Sequence, residues 1–256
     1  MKILFFGNSH MLNFINFSNK FLNDKVDGYG QKFSNSNSSI LAFRSGAGDV
    51  EKYMSHNNFE YLLLNDEIKI PNVYSKNNLK NSHWEGIPIK NFNNIVFIGQ
   101  FIGLRVPLSN LNFEENFYST TLLEKIFENS IEDYNFFGRS IRNNLISLIR
   151  KIDKKINIYF VPEPLFFDRM WIELCNCNNL SIRSKCFEIY NDVIKSYAKK
   201  LNIKILLQNK NTIDTKTIST KKEYFNNDAP DGFHCNSKFW EIYFKRLNLE
   251  IDLGLL

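Results

Sequence analysis

One serine near the start of the chain has the setting of a catalytic nucleophile. Ser9 follows Gly7 and Asn8, two residue types that tolerate the tight turn between a buried strand and a helix. At the first turn of such a helix, free backbone N–H groups and the positive end of the dipole can stabilise an oxyanion. A serine in this place can also simply cap the helix. This segment alone leaves both interpretations of Ser9 open.

An aspartate and a histidine near the other end of the chain could activate a serine. A hydroxyl needs a base within hydrogen-bond reach, and an imidazole base needs an acceptor that fixes its tautomer. Asp231 and His234 are three residues apart in a segment whose Pro and Gly residues favour a turn. Such a turn can bring the carboxylate to Nδ1 and leave Nε2 free. The alternative is a loop in which Asp231 only caps a helix and His234 is exposed.

The elements around these residues predict an α/β fold with a mainly parallel sheet. Continuous apolar runs predict buried strands at residues 2–6, 38–43, 59–64, 94–99, 156–161 and 203–207. Apolar residues at helical spacing predict helices at residues 10–22, from 49, and at 120–129, 132–152, 181–201 and 237–247. Open parallel sheets bind ligands at the carboxyl ends of their strands. Ser9, Gly46 and Gly99 each follow a predicted strand, so we expect them at one edge.

A chain of 256 residues suits one fairly large domain, or at most two small ones. Residues 65–93 do not follow the alternation of strands and helices, because they are polar and contain Pro71 and Pro88. We therefore predict a single domain over residues 1–256, with an inserted loop, hairpin or small cap at 65–93.

Charge and hydropathy argue against nucleic acid or membrane as partners. The net charge of +5 comes from scattered basic residues, and a nucleic-acid interface more often has a concentrated basic stripe. The first apolar run is too short for a signal peptide, and no apolar stretch approaches the ~20 residues of a membrane helix. We expect no nucleic-acid partner, no membrane span and, by default, a cytoplasmic location.

The four cysteines do not have the spacing of a metal site. Cys175, Cys177 and Cys186 are close in sequence, but structural zinc is usually held by four ligands in two short-spaced pairs. Neither a nearby histidine nor a second close pair accompanies them. We predict ordinary reduced thiols and no metal.

Two short blocks of sequence resemble the SGNH/GDSL hydrolases. Residues 7–10, GNSH, resemble the first block of that family, G-D-S, and residues 231–234, DGFH, resemble its last block, D-x-x-H. Both lie where the family has them, near the two ends of the chain. The resemblance implies a flavodoxin-like three-layer α/β/α sandwich with about five strands. It implies a serine hydrolase without a metal or an organic cofactor.

The resemblance also assigns roles to particular residues. Ser9 would be the nucleophile, His234 the base and Asp231 the residue that orients the base. The backbone N–H groups of Ser9 and Gly46 would form part of the oxyanion hole, with Gly48 as a less well placed alternative to Gly46.

One block departs from the family pattern. The third block normally reads G-x-N-D, but after Gly99 this chain has Gln100 and Phe101, so Phe101 stands at the position of the asparagine. Gln100 could supply an amide N–H from one position earlier. Asn110 or Asn112 could fold back instead, or the site could work with two donors, which would slow it by about 10²–10³.

The expected substrate is a small acyl ester on a carbohydrate. Residues 161–164, VPEP, follow a predicted strand and resemble a segment of carbohydrate-directed members of the family. Glu163 could therefore contact the substrate, or it could be a solvated side chain on a rigid proline loop. The resemblance implies an esterase that removes an O-acetyl group. The alternatives are an O-acyltransferase with a sugar acceptor and a non-catalytic carbohydrate-binding protein.

Overall fold

The computed structural model describes the chain in separate stretches. Before residue 92 it describes the backbone only, and from residue 92 onward it also describes the side chains, except those of Glu132, Asp133 and Asn248. The predicted strand at 59–64, the predicted helices at 10–22 and from 49, and most of the helix predicted at 132–152 lie outside these stretches. The described residues are 3–7, 31–35, 38–44, 67–71, 84–88, 92–99, 103–133, 146, 149–151, 153–226 and 232–251.

The chain divides into two compact units, each assembled from two separate stretches of sequence. The first unit contains Met1–Ile98 and Asn135–Tyr159, and the second contains Gly99–Tyr134 and Phe160–Leu256. The single domain with an insertion at 65–93 stays a prediction.

The first unit contains strands of a mixed sheet and a separate two-stranded sheet. Its strands are β1 (Ile3–Gly7), β2 (Gln31–Asn35), β3 (Ser38–Arg44), β4 (Glu67–Pro71), β5 (Trp84–Pro88), β6 (Asn94–Ile98) and the start of β7 (Asn157–Val161), of which β4 and β5 form the two-stranded sheet. β1 lies between β3 and β6 and pairs parallel with both, while β2 pairs antiparallel with β3 at the edge. The α/β prediction is confirmed, and β1, β3, β6 and β7 match their predicted ranges within one residue.

Burial explains why the apolar runs became strands. All five residues of β6 are buried, and so are the last four of β7, as is typical of strands covered on both faces. At the start of this strand pair, the N–H of Asn157 donates to the carbonyl of Asn93 at 2.9 Å. The Asn157 side chain also donates to that of Asn94 at 3.2 Å.

The segment predicted as an insertion contains a hairpin. β4 and β5 pair antiparallel as a separate two-stranded sheet, with Glu67 opposite Pro88 and Pro71 opposite Trp84. A hairpin was one of the three forms predicted for residues 65–93.

Helices dominate the second unit. They are α1 (Arg105–Leu108), α2 (Thr120–Asp133), α3 (Asp168–Cys175), α4 (Leu180–Lys200) and α5 (Ser237–Ile251). The end of β7 and three two-residue strands, β8 (Lys204–Ile205), β9 (Ile213–Asp214) and β10 (Ser219–Thr220), complete it. The predictions for α2, α4 and α5 are confirmed, whereas α1, α3 and β2 were not predicted.

A side-chain cap and a buried apolar face stabilise helices of the second unit. The Asn179 side chain caps α4 by accepting from the N–H groups of Ser181 and Ile182 at 2.9 and 3.3 Å. α2 packs against α4. α5 contributes the largest buried cluster, with side chains from 0 to 7% exposed: Phe239, Trp240, Tyr243, Phe244, Leu247 and Ile251.

Candidate active site

The residues that the sequence singles out divide into two groups. His234 and Glu163 lie in the described part of the second unit. Ser9, Gly46, Gln100 and Asp231 lie outside the described residues, so their assignments stay predictions.

The backbone of the first unit fixes where three candidate segments begin. Gly7, the last residue of β1, pairs in register with Arg44 at the end of β3 and with Ile98 at the end of β6. The three parallel strands therefore end level with one another at the carboxyl edge of the sheet. Two residues further along the sequence come Ser9 after β1, Gly46 after β3 and Gln100 after β6.

Gly232 opens the short segment that carries His234, defined here as the His234 segment (residues 232–236). Its φ of +77° is strained for any residue with a Cβ. A Cβ at this position would also lie 3.0 Å from the sulfur of Met170 on α3. The carbonyl of Gly232 accepts the N–H of Phe167 at 3.0 Å. The segment therefore lies directly against the start of α3 and has no room for a larger residue.

Phe233 is the residue next to His234, and two side chains hold its ring. The ring of Phe166 lies edge-on to it, with 6.5 Å between centroids. The guanidinium of Arg105, from the start of α1, lies over it, 4.6 Å from the ring centroid. Aromatic and cation–π contacts of this kind each contribute about 0.5–1.5 kcal/mol.

Contacts with Phe225 and Asn226 fix the backbone at His234 and at the two residues that follow it. The carbonyl of His234 accepts the N–H of Asn226 at 3.0 Å, and Cys235 forms an antiparallel bridge with Phe225. The Asn236 side chain donates to the carbonyl of Phe225 at 3.0 Å and accepts N–H groups from the first turn of α5. His234 itself is half-buried. The imidazole thus stands on a backbone that is anchored on both sides.

Glu163 lies in a second loop, defined here as the Glu163 segment (residues 162–165), which follows β7. Its carboxylate accepts the N–H of Gly103 at 3.2 Å, and the side chain is half-buried. A Cβ on Gly103 would lie 2.6 Å from Oε2 of Glu163. The negative charge of Glu163 adds to the effect of burial in raising the pKa of Tyr190. Glu163 is thus partly enclosed and has a backbone partner.

Hydrogen bonds of Gln208, Thr212 and Thr220 form a polar network that holds the Glu163 segment at Leu165. The amide of Gln208 accepts the N–H of Leu165 at 2.7 Å and donates to Thr220 and Thr212 at 2.9 and 3.2 Å. The Thr220 hydroxyl donates in turn to the carbonyl of Leu165. Both threonines are fully buried.

A cleft opens beside this segment. Glu163, Asn191 and Gln208 bring polar groups to it, and the other side chains and rings around it are largely apolar. The space that the cleft encloses, about 10 Å³, is enough for a single water molecule. The main lining residues are Leu104, Pro162, Glu163, Tyr190, Asn191 and Gln208.

The cysteines are free thiols in the interior. All four are buried and unpaired by disulfides. Burial raises the pKa of Cys186 to about 12, whereas the neighbouring thiol of Cys175 lowers the pKa of Cys177. Nearby, the buried Arg183 forms an ion pair with Asp168 and donates to the carbonyl of Cys177.

The described stretches contain neither a candidate metal cluster nor a candidate membrane-spanning helix. No group of three His, Cys, Asp or Glu side chains in the described part of the chain could hold a metal ion. Likewise, none of the helices described is long and apolar enough to cross a membrane. The predictions of no metal and no cofactor stay predictions.

The sequence did not point to Arg105, Gly103 or Gln208. Residues 100–119 read as a loop, although an arginine just before a Val-Pro pair (RVP, residues 105–107) is a weak signal of a helix start. The contact between Gly103 and Glu163 joins residues 60 positions apart, and no local pattern predicts such a pair.

Known proteins resemble this chain in structure and not in sequence. No protein-family model and no curated protein matches it. A candidate acylhydrolase from Bacteroides fragilis is 13% identical with a TM-score of 0.47, over 100% of this chain and 88% of that one. A GDSL-like lipase from Bacteroides thetaiotaomicron is 14% identical with a TM-score of 0.44, over 99% and 88%. A family two carbohydrate esterase from Clostridium thermocellum is 16% identical with a TM-score of 0.34, over 100% and 65%.

Proposed function

We propose that this protein is a serine esterase of the SGNH/GDSL kind. Ser9 is the nucleophile, His234 the general base and Asp231 the carboxylate that orients the imidazole. The proposed architecture is a flavodoxin-like three-layer sandwich with about five strands. Two observations support this: the sequence blocks at 7–10 and 231–234, and the anchored, half-buried position of His234.

The observation that carries the proposal is the register of the parallel strands. β1, β3 and β6 end level at Gly7, Arg44 and Ile98, and open parallel sheets bind ligands at this edge. Ser9 follows the middle strand by two residues, which is where a serine between strand and helix can act as a nucleophile. Gly46 and Gln100 follow the flanking strands by the same number of residues.

The proposed ester hydrolysis has two steps, acylation of Ser9 and hydrolysis of the acyl-enzyme. In the first step, Nε2 of His234 takes the proton of Ser9 as Oγ attacks the ester carbonyl carbon. The bond between the carbonyl carbon and the alkoxy oxygen then breaks, and His234 gives the proton to the departing alcohol. In the second step, water attacks the acyl-enzyme while His234 takes its proton. The Oγ–acyl bond breaks, Ser9 regains a proton and the carboxylic acid leaves.

In the proposed site, the oxyanion of each step meets three donors. The backbone N–H groups of Ser9 and Gly46 supply two, and the Gln100 side chain supplies the third in place of the family asparagine. Each donor lost from such a site costs about 10²–10³ in rate.

The proposed substrate is an O-acetyl or other small acyl ester on a carbohydrate. The resemblance of residues 161–164, VPEP, to a segment of carbohydrate-directed members of the family supports this proposal. In this proposal Glu163 accepts hydrogen bonds from substrate hydroxyl groups.

Hydrolysis of p-nitrophenyl acetate by the wild type and by Ser9→Ala tests the proposal. We expect Ser9→Ala to lose at least about 10³-fold in kcat, as expected for removal of a nucleophile. Ser181→Ala is the matched control, because Ser181 is exposed near the start of α4, and it should keep the wild-type rate. Equal rates for the wild type and Ser9→Ala would sink the esterase proposal.

Trapping the nucleophile gives a second, independent test. A fluorophosphonate probe should add to Ser9 of the wild type, and mass spectrometry of the digested protein locates the adduct. An adduct on another serine would reassign the nucleophile. A sugar acceptor added to the assay separates hydrolysis from transfer, since an acyltransferase would divert the acetyl group to the sugar.

A further inference from the structure

Arg105 differs from the other arginines whose side chains the structure describes. Arg150, Arg183 and Arg246 each donate to a backbone carbonyl, at 2.5, 2.9 and 2.7 Å, and Arg169 lies 3.7 Å from Glu173. The guanidinium of Arg105 contacts the Phe233 ring, and no acceptor for its N–H groups occurs among the described residues. Its five donors are therefore unused within that part of the chain.

The position of Arg105 relates this charge to the candidate active site. Phe233, which lies under the guanidinium, is the residue directly before His234. A guanidinium held over a ring by a cation–π contact can keep its N–H groups available to an acceptor. A half-buried, oriented guanidinium of this kind matches a carboxylate, which it can bind through two parallel hydrogen bonds.

We propose that Arg105 is a specificity-determining residue that binds a carboxylate of the substrate beside His234. The inference rests on the proposed esterase function and narrows the substrate class to acyl esters that also carry a carboxylate, such as an O-acylated acidic sugar. The neutral acyl group is attacked by Ser9, and the carboxylate is held by Arg105.

Two matched esters test this inference. 4-Acetoxybenzoate and 4-acetoxybenzamide have the same acetyl group and the same ring, but only the first has a carboxylate. We expect Arg105→Gln to lower kcat/KM for 4-acetoxybenzoate by about 10- to 100-fold, which corresponds to one charge-assisted hydrogen-bond pair. For 4-acetoxybenzamide the change should stay below about threefold, within the range of an altered surface charge. Arg105→Lys should fall between the wild type and Arg105→Gln.

The control variant is Arg169→Gln. Its side chain is 58% exposed on α3, and the variant loses the same charge as Arg105→Gln, so it should leave the ratio of the two kcat/KM values unchanged. Equal losses on both esters with Arg105→Gln would overturn the inference and leave Arg105 as a support for Phe233. No change on either ester would overturn it too.

A binding measurement keeps the inference testable if the protein hydrolyses neither ester. Hydrolysis of p-nitrophenyl acetate then tests the proposed esterase function separately. The product anion 4-hydroxybenzoate can then be titrated by NMR against the wild type and Arg105→Gln. We expect binding by the wild type and about tenfold weaker binding by the variant. Equal affinities, or no binding by the wild type, would overturn the carboxylate site.

Discussion

The His234 segment and the Glu163 segment each hold a candidate functional side chain, and they do so by different means. The His234 segment relies on backbone hydrogen bonds through Gly232 and His234, and on the packing of the Phe233 ring. The Glu163 segment relies on a buried polar network, in which Gln208 bonds to the backbone of Leu165. The His234 segment therefore depends on backbone geometry and close packing, whereas the Glu163 segment depends on hydrogen bonds of buried polar side chains.

This difference predicts which kinds of substitution destabilise each segment. Packing and backbone strain penalise an added atom, since the interior around Gly232 has no free volume. A polar network instead penalises a missing partner, because a buried donor or acceptor left alone costs about 1–3 kcal/mol. Substitutions chosen on this basis should therefore separate the two segments.

The largest expected effect is on catalysis and belongs to the His234 segment. His234→Ala should lower kcat of the proposed esterase by at least about 10³-fold, because the serine loses its base. Glu163→Gln should instead act mainly on KM, since the amide keeps the shape and an acceptor oxygen. Esterase kinetics for both variants check this contrast.

Two outcomes would break this contrast. Near wild-type kcat for His234→Ala would remove His234 from the mechanism. A loss of kcat in Glu163→Gln as large as in His234→Ala would place Glu163 in the catalytic step.

The next effect is on stability and tests the strained glycine. Gly232→Ala should lower the free energy of unfolding by about 2–3 kcal/mol, because a Cβ is disfavoured at φ +77° and meets Met170. Urea unfolding measures it. In a Met170→Ala background, Gly232→Ala should cost only the part due to the backbone angle, so no cost in that background would show that the backbone angle costs nothing.

The sequence predicted the strands of the parallel sheet well for a physical reason. β6 and β7 are buried along nearly their whole length, so their apolar runs are continuous. β2 was missed because QKFSN has one apolar residue and forms an antiparallel edge. Asn35 pairs with Ser38 across a two-residue connection, and the Asn and Ser residues there were the available signal.

The catalytic assignments stay predictions. Ser9, Asp231 and His234 were singled out from the sequence because the Gly, Asn and Pro residues beside them favour tight turns. Arg105, Gly103 and Gln208 act through partners that are distant in sequence. Nothing in the sequence around any of the three encodes which distant residue it meets in the fold.

A smaller effect is expected in the polar network of the Glu163 segment. Gln208→Leu keeps the size of the side chain but leaves the Leu165 N–H and the Thr220 hydroxyl without this partner. The free energy of unfolding should fall by about 1–2 kcal/mol. Combined with Thr220→Val, the loss should be less than the sum of the two single losses, because both belong to one network. Strict additivity would show that the network is not a unit.

The smallest effect comes from the second glycine and completes the comparison. Gly103→Ala places a Cβ 2.6 Å from Oε2 of Glu163, which can move, and 3.0 Å from the Cβ of Glu163, which can shift only slightly. The φ of Gly103 is not among the positive values. The cost in unfolding free energy should be about 1 kcal/mol or less, well below that of Gly232→Ala. Because Glu163 must move, Gly103→Ala should still raise KM for a carbohydrate ester, and adding Glu163→Ala should raise it little further. A stability loss equal to that of Gly232→Ala would mean that the Glu163 segment is as rigid as the His234 segment.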